Sequence, residues 1–203
     1  MVSKKVLIWV SVIAAALMAL NFYVSYNPNN FLTGFTGSSG YVNITVVAVL
    51  SVNFTTSSVN WGVGSINAGN NNASLITSGP SVLRGNWSTV GISGFVLENE
   101  GTLNVSLKVA SLKNATSLFG GTLNHRAYMW NITNSDPSSC INDTISFYTW
   151  YDVNATSPGT QLCSQLGFLD NQDSLKIDTL ITIPYDSNNG SISDTITATA
   201  IAS

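Results

Sequence analysis

The residues of this sequence that could carry chemistry begin with a repeated triplet, Asn-x-Ser/Thr, the acceptor pattern for N-linked glycans. The chain has 23 Asn and 48 Ser plus Thr, so chance alone would give about five such triplets. Ten are present, at Asn43, Asn53, Asn72, Asn86, Asn104, Asn114, Asn131, Asn142, Asn154 and Asn189. We interpret the excess as a glycosylated outer surface. The alternative is that an Asn- and Thr-rich β-protein produces these triplets as a by-product.

Two cysteines, Cys140 and Cys163, form the second group. An even pair in an exported chain most simply forms a disulfide. Closing this loop would stabilise the fold by roughly 3 kcal/mol in the chain-entropy model. A zinc site is not expected, because it needs further Cys or His ligands and the sequence offers one histidine, His125. The sequence therefore predicts a disulfide, with no metal and no cofactor.

The other titratable side chains do not make a recognisable catalytic set. Glu98 and Glu100 flank a predicted turn, and His125 beside Arg126 has no evident nucleophile or orienting acid. The acidic stretches DNQD at 170–173 and DSNNG at 186–190 lack the ligand spacing of a calcium loop. We predict that the protein is not an enzyme.

Aromatic residues suggest a different kind of site. Trp130 and the run FYTWY at residues 147–151 could stack on sugar rings if they are exposed on a sheet. Packing between two sheets is the alternative, because large aromatics dominate such cores.

The composition limits the partners. Charged residues make up 8% of the chain and the formal net charge is -3, whereas ordinary soluble proteins have roughly 25% charged residues. The seven basic residues are scattered along the chain. Nucleic-acid binding is therefore not expected, because it needs a clustered basic face.

Residues 1–26 read as a signal peptide or an N-terminal hydrophobic helix. Lys4 and Lys5 precede an apolar run over residues 6–20. This layout is typical of a secretory signal, with cleavage after Ala19. Counted on to residue 24, the run approaches the ~20 residues that span a bilayer. Cleavage and retention as a membrane anchor both stay open, and on either reading the remainder is exported.

Residues 27–40 (NPNNFLTGFTGSSG) predict a flexible tether, and residues 41–203 predict a β-sandwich ectodomain. The turn residues 99–101 predict a hairpin, and no helix of the usual length is expected beyond the leader. Apolar and alternating patterns predict strands within residues 41–53, 58–66, 86–99, 103–109, 127–132, 145–151, 175–184 and 191–202. The expected fold is mainly β: an antiparallel sandwich of immunoglobulin or jelly-roll type, preceded by one helix. The region between the cysteines is expected to be a stapled insertion or long loop.

Two stretches carry a family resemblance. VNWGVGSINAG at residues 59–69 and FVLENEGTLNV at 95–105 resemble small exported archaeal surface proteins. The second stretch also resembles the β-sandwich subunits of camelysin-like matrix fibres and archaeal bundling filaments. This resemblance implies polymerisation by donor-strand exchange, with residues 41–53 as the donor strand.

The helix–tether–β layout is also similar to an archaeal type IV pilin, whose retained helix would form a filament core. The chain departs from that pattern, because no Gly or Ala follows the lysines before the apolar run.

The sequence thus predicts a structural subunit of an extracellular filament or surface coat. Its partners would be copies of itself and, if the leader is retained, the membrane through residues 6–24. The alternative is a membrane-anchored or secreted adhesin that binds host-cell or matrix glycans. Both readings place the protein at the cell surface.

Overall fold

The computed structural model describes residues 4–26, 44–122, 125–141 and 145–203. The chain divides into two compact units, Met1–Val46 and Val47–Ser203. The first unit contains helix α1 (Lys4–Tyr26), whose described side chains are exposed. Its 23 residues extend about 35 Å at ~1.5 Å per residue. By length and composition the helix could cross a membrane or serve as a signal sequence. The expected N-terminal hydrophobic helix is therefore confirmed.

The second unit is a β-domain. Its described residues form ten strands and one short helix. The strands are β1 (Asn53–Thr56), β2 (Asn72–Ile76), β3 (Ser81–Leu83), β4 (Phe95–Glu98), β5 (Val105–Ser111), β6 (Ala127–Asn134), β7 (Tyr151–Asp152), β8 (Thr160–Leu166), β9 (Ser174–Pro184) and β10 (Ile196–Ala202), and the helix is α2 (Ala115–Phe119).

The strands form two antiparallel sheets, which confirms the mainly β, sandwich-like fold. The larger sheet is built around β9, the longest strand, with β6 and then β7 on one side. On the other side of β9, its first half pairs with β4 and its second half with β2. Strands β1 and β3 extend these two branches. The smaller sheet has the order β10-β5-β8.

The core lies between the sheets. Side chains alternate along a strand, so Val105, Leu107 and Val109 of β5 all point inward and are fully buried. Trp130 of β6 and Ile177 of β9 are equally buried in the same cluster. On β10, Ile196, Ala198 and Ala200 alternate with Thr197 and Thr199, and all three pack against this core.

Several local predictions are wrong. Residues 99–101 do not make a hairpin: β4 belongs to the larger sheet and β5 to the smaller one, so the chain crosses between sheets there. Asn99 is only 1% exposed at this crossing. Its Nδ2 donates to Gly167 O (2.7 Å) and Leu103 O (3.0 Å), and its Oδ1 accepts from Gly101 N (3.0 Å). An amide that was expected to shape a turn therefore ties the two sheets together.

The strand predictions also need correction in three segments. Only Asn53 of the expected strand 41–53 is in a strand; residues 44–52 are not, and residues 41–43 lie outside the described residues. Residues 58–66 form a loop with one isolated bridge, Ile66 to Gly85. In the stretch 145–151 only Tyr151 is in a strand. These segments are rich in β-formers, but strand formation also requires a partner edge.

Candidate functional site

Strand β10 is one of the two edges of the smaller sheet and pairs only with β5 among the described residues. Its sequence, ITATAIA, has no charge and no proline, and its register with β5 is regular over seven pairs. Natural edge strands are usually protected by charge, proline, a bulge or a cover. The first three protections are missing from β10.

The hydrogen bonds at the two ends of β10 show which of its backbone N–H and C=O groups point away from β5. Leu112 N donates to Thr195 O (3.1 Å) and Ser203 N donates to Asn104 O (3.5 Å). Hydrogen-bonded and non-bonded pairs alternate along an antiparallel ladder. The regular register between these two ends therefore gives four residues whose N–H and C=O groups point away from β5, namely Ile196, Ala198, Ala200 and Ala202.

A groove of about 490 Å³ lies beside this edge. Its apolar lining comes from Val52 and Phe54 on one side and from Ile196 and Ala198 on the other. The Phe54 ring is held edge-on against Phe95, with 5.9 Å between ring centroids. The groove therefore separates β1, an edge of the larger sheet, from β10, an edge of the smaller one.

The segment just before β1 is apolar and exposed. Residues 44–50 read ITVVAVL, and the side chains of Ile44, Val46 and Val47 are 79%, 87% and 70% exposed. Val49 is held by Thr102: Val49 N donates to Thr102 Oγ1 (2.9 Å), and Thr102 N donates to Val49 O (2.9 Å). We call residues 44–50 the apolar segment.

A second cleft, of about 1280 Å³, lies next to this groove in the β-domain, and Ile196 lines both. Its floor is apolar and includes Leu75, Phe95, Ile181 and Ile183 of the larger sheet. Its walls are residues 59–71 and 187–194. The smaller sheet has three strands among the described residues, and loops cover this part of the larger sheet.

The ten glycan acceptors differ in accessibility. Asn43 and Asn142 lie outside the described residues. Asn72 and Asn104 are half-buried, and Asn131 on β6 is 5% exposed. The exposed acceptors are Asn53, Asn86, Asn114, Asn154 and Asn189. An interior amide such as Asn131 leaves no room for a sugar in the folded domain.

The predicted Cys140–Cys163 disulfide is confirmed, with a Cα–Cα distance of 5.8 Å. Cys163 lies on β8 and is fully buried, and Cys140 forms an isolated bridge with Leu166 of that strand. The bond therefore anchors Cys140 to β8, which lies at the edge of the smaller sheet opposite β10. The expectation of a stapled insertion or long loop is wrong at the Cys163 end, because Cys163 belongs to this strand.

The titratable groups do not converge on a reactive centre in the described part of the chain. Burial raises the pKa of Asp173, and the charges of Asp136, Glu98 and Asp170 raise it further. Burial also raises the pKa of Tyr128, and the negative charge of the nearby Asp194 carboxylate raises it further. Residues 4–26, 44–122, 125–141 and 145–203 contain no group of three acidic, His or Cys side chains placed to hold a metal ion.

The aromatic residues that suggested a sugar platform divide between core and surface. Trp130 is fully buried, and Phe147 and Tyr151 pack against the core. Tyr148 is exposed on its own. Sequence reasoning missed the arrangement that the fold creates, in which Trp61 and Trp87 both line the cleft.

Arg126, which was considered as a cation beside His125, donates from Nη1 to Gly120 O (2.8 Å) and Gly121 O (2.9 Å). It therefore closes a loop.

No model of a known protein family matches the chain, and no curated protein matches it either.

Proposed function

We propose that the protein is a structural subunit of an extracellular filament or surface coat, which self-assembles through its N-terminal segment and carries N-linked glycans. One observation carries this proposal. Among the residues that the structure describes, the uncharged apolar segment is exposed and pairs with no strand, and the uncharged edge of β10 pairs only with β5. The simplest assembly adds the apolar segment of one copy as a strand beside β10 of the next copy.

The energetics favour a partner for the apolar segment. Full burial of one Val, Leu or Ile side chain is worth roughly 1.5–3 kcal/mol. In an added strand, Ile44 and Val46 share one face and would therefore contribute about 3–6 kcal/mol between them. Strand addition also satisfies the outward N–H and C=O groups of β10. These gains oppose an association cost of about 4–15 kcal/mol, so further contacts in the groove beside Phe54 are needed.

Two features support an exported location. The apolar helix α1 is compatible with a signal sequence or an anchor. The disulfide is typical of an oxidising compartment, because cytosolic thiols are kept reduced. The low charge of the chain also suits subunits that pack closely, since little Coulomb repulsion opposes their contact.

A charge placed in the apolar segment tests the proposal. The test uses a shortened protein that consists of residues 44–203. In this protein, Val46→Asp should abolish self-association, because the carboxylate would have to be desolvated in the groove. The matched control is Val63→Asp, since Val63 is 99% exposed and lies outside the segment and the groove beside β10. Analytical ultracentrifugation and negative-stain microscopy should show assemblies for the parent and the control only.

A proline on the acceptor edge tests the other side of the contact. Ala200→Pro removes an outward N–H and leaves the bonds between β5 and β10 in place. We expect a monomer with a thermal melt close to that of the parent. If the parent is monomeric, or if both variants still assemble, strand addition at β10 is wrong. Assembly of the full chain but not of residues 44–203 would instead indicate a filament core made of α1.

The glycan part of the proposal has its own test. Asn154 is exposed, and its Oδ1 accepts a bond from Thr156 N (2.9 Å) in a surface loop. Glycopeptide mapping of native protein should find sugar on Asn154 and none on Asn131. Native protein with the mass of the bare polypeptide would contradict the glycosylated surface.

A further inference from the structure

We propose that the cleft between residues 59–71 and 187–194 binds a neutral oligosaccharide from outside the chain. The aromatic and amide residues that support this binding site lie outside the apolar segment and outside β10, although the cleft meets the groove beside β10 at Ile196. Sugar binding and self-association have separate measurements, so failure of one is distinguishable from failure of the other.

The cleft is preformed, because both of its walls are fixed. On one wall, Asn67 N donates to Arg84 O (3.0 Å) and Asn86 N donates to Ser65 O (3.1 Å). On the opposite wall, Lys113 Nζ donates to Ser193 O (2.6 Å). A cleft that exists before the ligand arrives avoids the cost of ordering loops on binding.

Trp87 lines the cleft and packs against Gly64 of the first wall. A Cβ atom added to Gly64 would lie 2.4 Å from the Trp87 ring, and one added to Gly85 would lie 2.7 Å from it. Both glycines therefore allow the backbone to pack directly on the indole. The ring orientation is set by this packing, which is the condition for a rigid aromatic recognition surface.

The lining combines aromatic rings with amides. Trp61 and Trp87 are half-buried and Tyr185 is 62% exposed. The amide side chains along the walls are Asn60, Asn67, Asn70, Asn71, Asn188 and Asn189. Flat rings suit the C–H faces of sugars, and amides both donate to and accept from hydroxyls. The volume of about 1280 Å³ exceeds the roughly 300–1,000 Å³ of ordinary ligand pockets, which fits several sugar rings better than one.

The charge of the cleft selects a neutral ligand. Among the lining residues that the structure describes, Asp194 is the only charged one. Its Oδ2 accepts from Ser111 Oγ, and its Oδ1 is buried out of reach of solvent. The lining thus offers no cation to a phosphate or sulfate group, and its one carboxylate repels anions. Acidic glycans and nucleotides are disfavoured for the same reason.

The test uses the full chain in lipid nanodiscs, produced without glycosylation. Calorimetry and tryptophan fluorescence would follow titration with chitotriose, mannotriose and maltotriose, with a heparin hexasaccharide as the anionic comparison. We expect at least one neutral sugar to bind and heparin not to bind. Trp61→Ala should weaken binding about tenfold or more, as expected for an aromatic anchor. Trp150→Ala, a half-buried tryptophan outside the cleft, should change it by less than about twofold.

Three outcomes overturn the proposal. The first is that no neutral sugar binds, while the parent and Trp150→Ala melt normally. The second is binding that Trp61→Ala leaves unchanged although the variant is folded. The third concerns the glycan of the chain itself. Ser191→Ala removes the acceptor triplet of Asn189. If the glycosylated parent binds no added sugar but glycosylated Ser191→Ala does, the cleft is occupied by the glycan attached to Asn189. Trp87→Phe, which preserves a ring against Gly64, provides a second cleft variant if Trp61→Ala is unfolded.

Discussion

Replacement of Asn99 by alanine should be among the most damaging single changes in the β-domain. The side chain is 1% exposed and makes two short donor bonds and one acceptor bond at the point where the chain crosses between the sheets. Each net hydrogen bond is worth about 1 kcal/mol, and each buried carbonyl left without a partner costs about 1–3 kcal/mol more. We therefore expect Asn99→Ala to lower the free energy of unfolding by about 3–5 kcal/mol, a large share of the usual ~5–15 kcal/mol.

Urea unfolding of the disulfide-bonded domain measures this loss. With an m-value near 2 kcal/mol/M, the midpoint should fall by about 1.5–2.5 M. Asn154→Ala is the matched control, because it removes one Asx-turn bond at an exposed site and should cost less than about 1 kcal/mol. Asn99→Asp retains the acceptor but places a carboxylate against Gly167 O, so it should be at least as damaging as alanine. A loss below about 1 kcal/mol for Asn99→Ala would refute the role of Asn99 in joining the sheets.

Three further predictions concern the stability of the same domain. Replacing both Cys140 and Cys163 by Ser opens a loop of 23 residues and should cost roughly 3 kcal/mol by calorimetry, while assembly persists. Asp173→Asn should raise the melting temperature at pH 7. The reason is that a raised carboxyl pKa means that the folded state penalises the charged form. Gly64→Ala should destabilise by about 1–3 kcal/mol, because the new methyl group would overlap the Trp87 ring.

Each of these predictions has an internal comparison. Loss of assembly in the double serine variant would place the disulfide at a subunit contact. The advantage of Asp173→Asn should shrink as pH falls through the raised pKa, because the wild-type carboxyl then becomes neutral as well; an advantage that does not depend on pH would contradict the electrostatic cause. Val63→Ala, at a neighbouring side chain that is 99% exposed, should change the free energy of unfolding by less than about 0.5 kcal/mol. A similar loss for Val63→Ala and Gly64→Ala would contradict the overlap with Trp87.

The apolar, β-branched patterns predicted the long strands well, because these strands lie at the centre of the larger sheet and are buried over much of their length. The patterns at 127–132 and 175–184 correspond to β6 and β9, which are the partners at the centre of the larger sheet. The same signal failed at 145–151, where β-formers such as Ile145 and Phe147 pack against the core from a loop. Apolar β-formers favour burial, and their side chains can be buried without forming a strand.

The candidate sites were only partly visible in the sequence. The apolar composition of residues 44–50 was evident from the sequence. Their exposure was not, because it depends on the absence of a partner strand within the described chain. The open edge of β10 could not be predicted, because edge position is a property of sheet order. The cleft is lined by Trp61, Trp87 and residues 187–194. These residues are far apart in the sequence, and no local pattern predicts that they share one cleft.

The sequence by itself determined a largely uncharged chain with an apolar N-terminal helix, a β-rich remainder and one pair of cysteines. These properties follow from composition and local periodicity, which the chain carries whatever its topology. The tertiary structure decided which strands pair, that Asn99 lies inside the domain, that Asn131 is hidden and that β10 is open. Each of these depends on contacts between residues far apart in the sequence, and such contacts form only when the two sheets close on a common core.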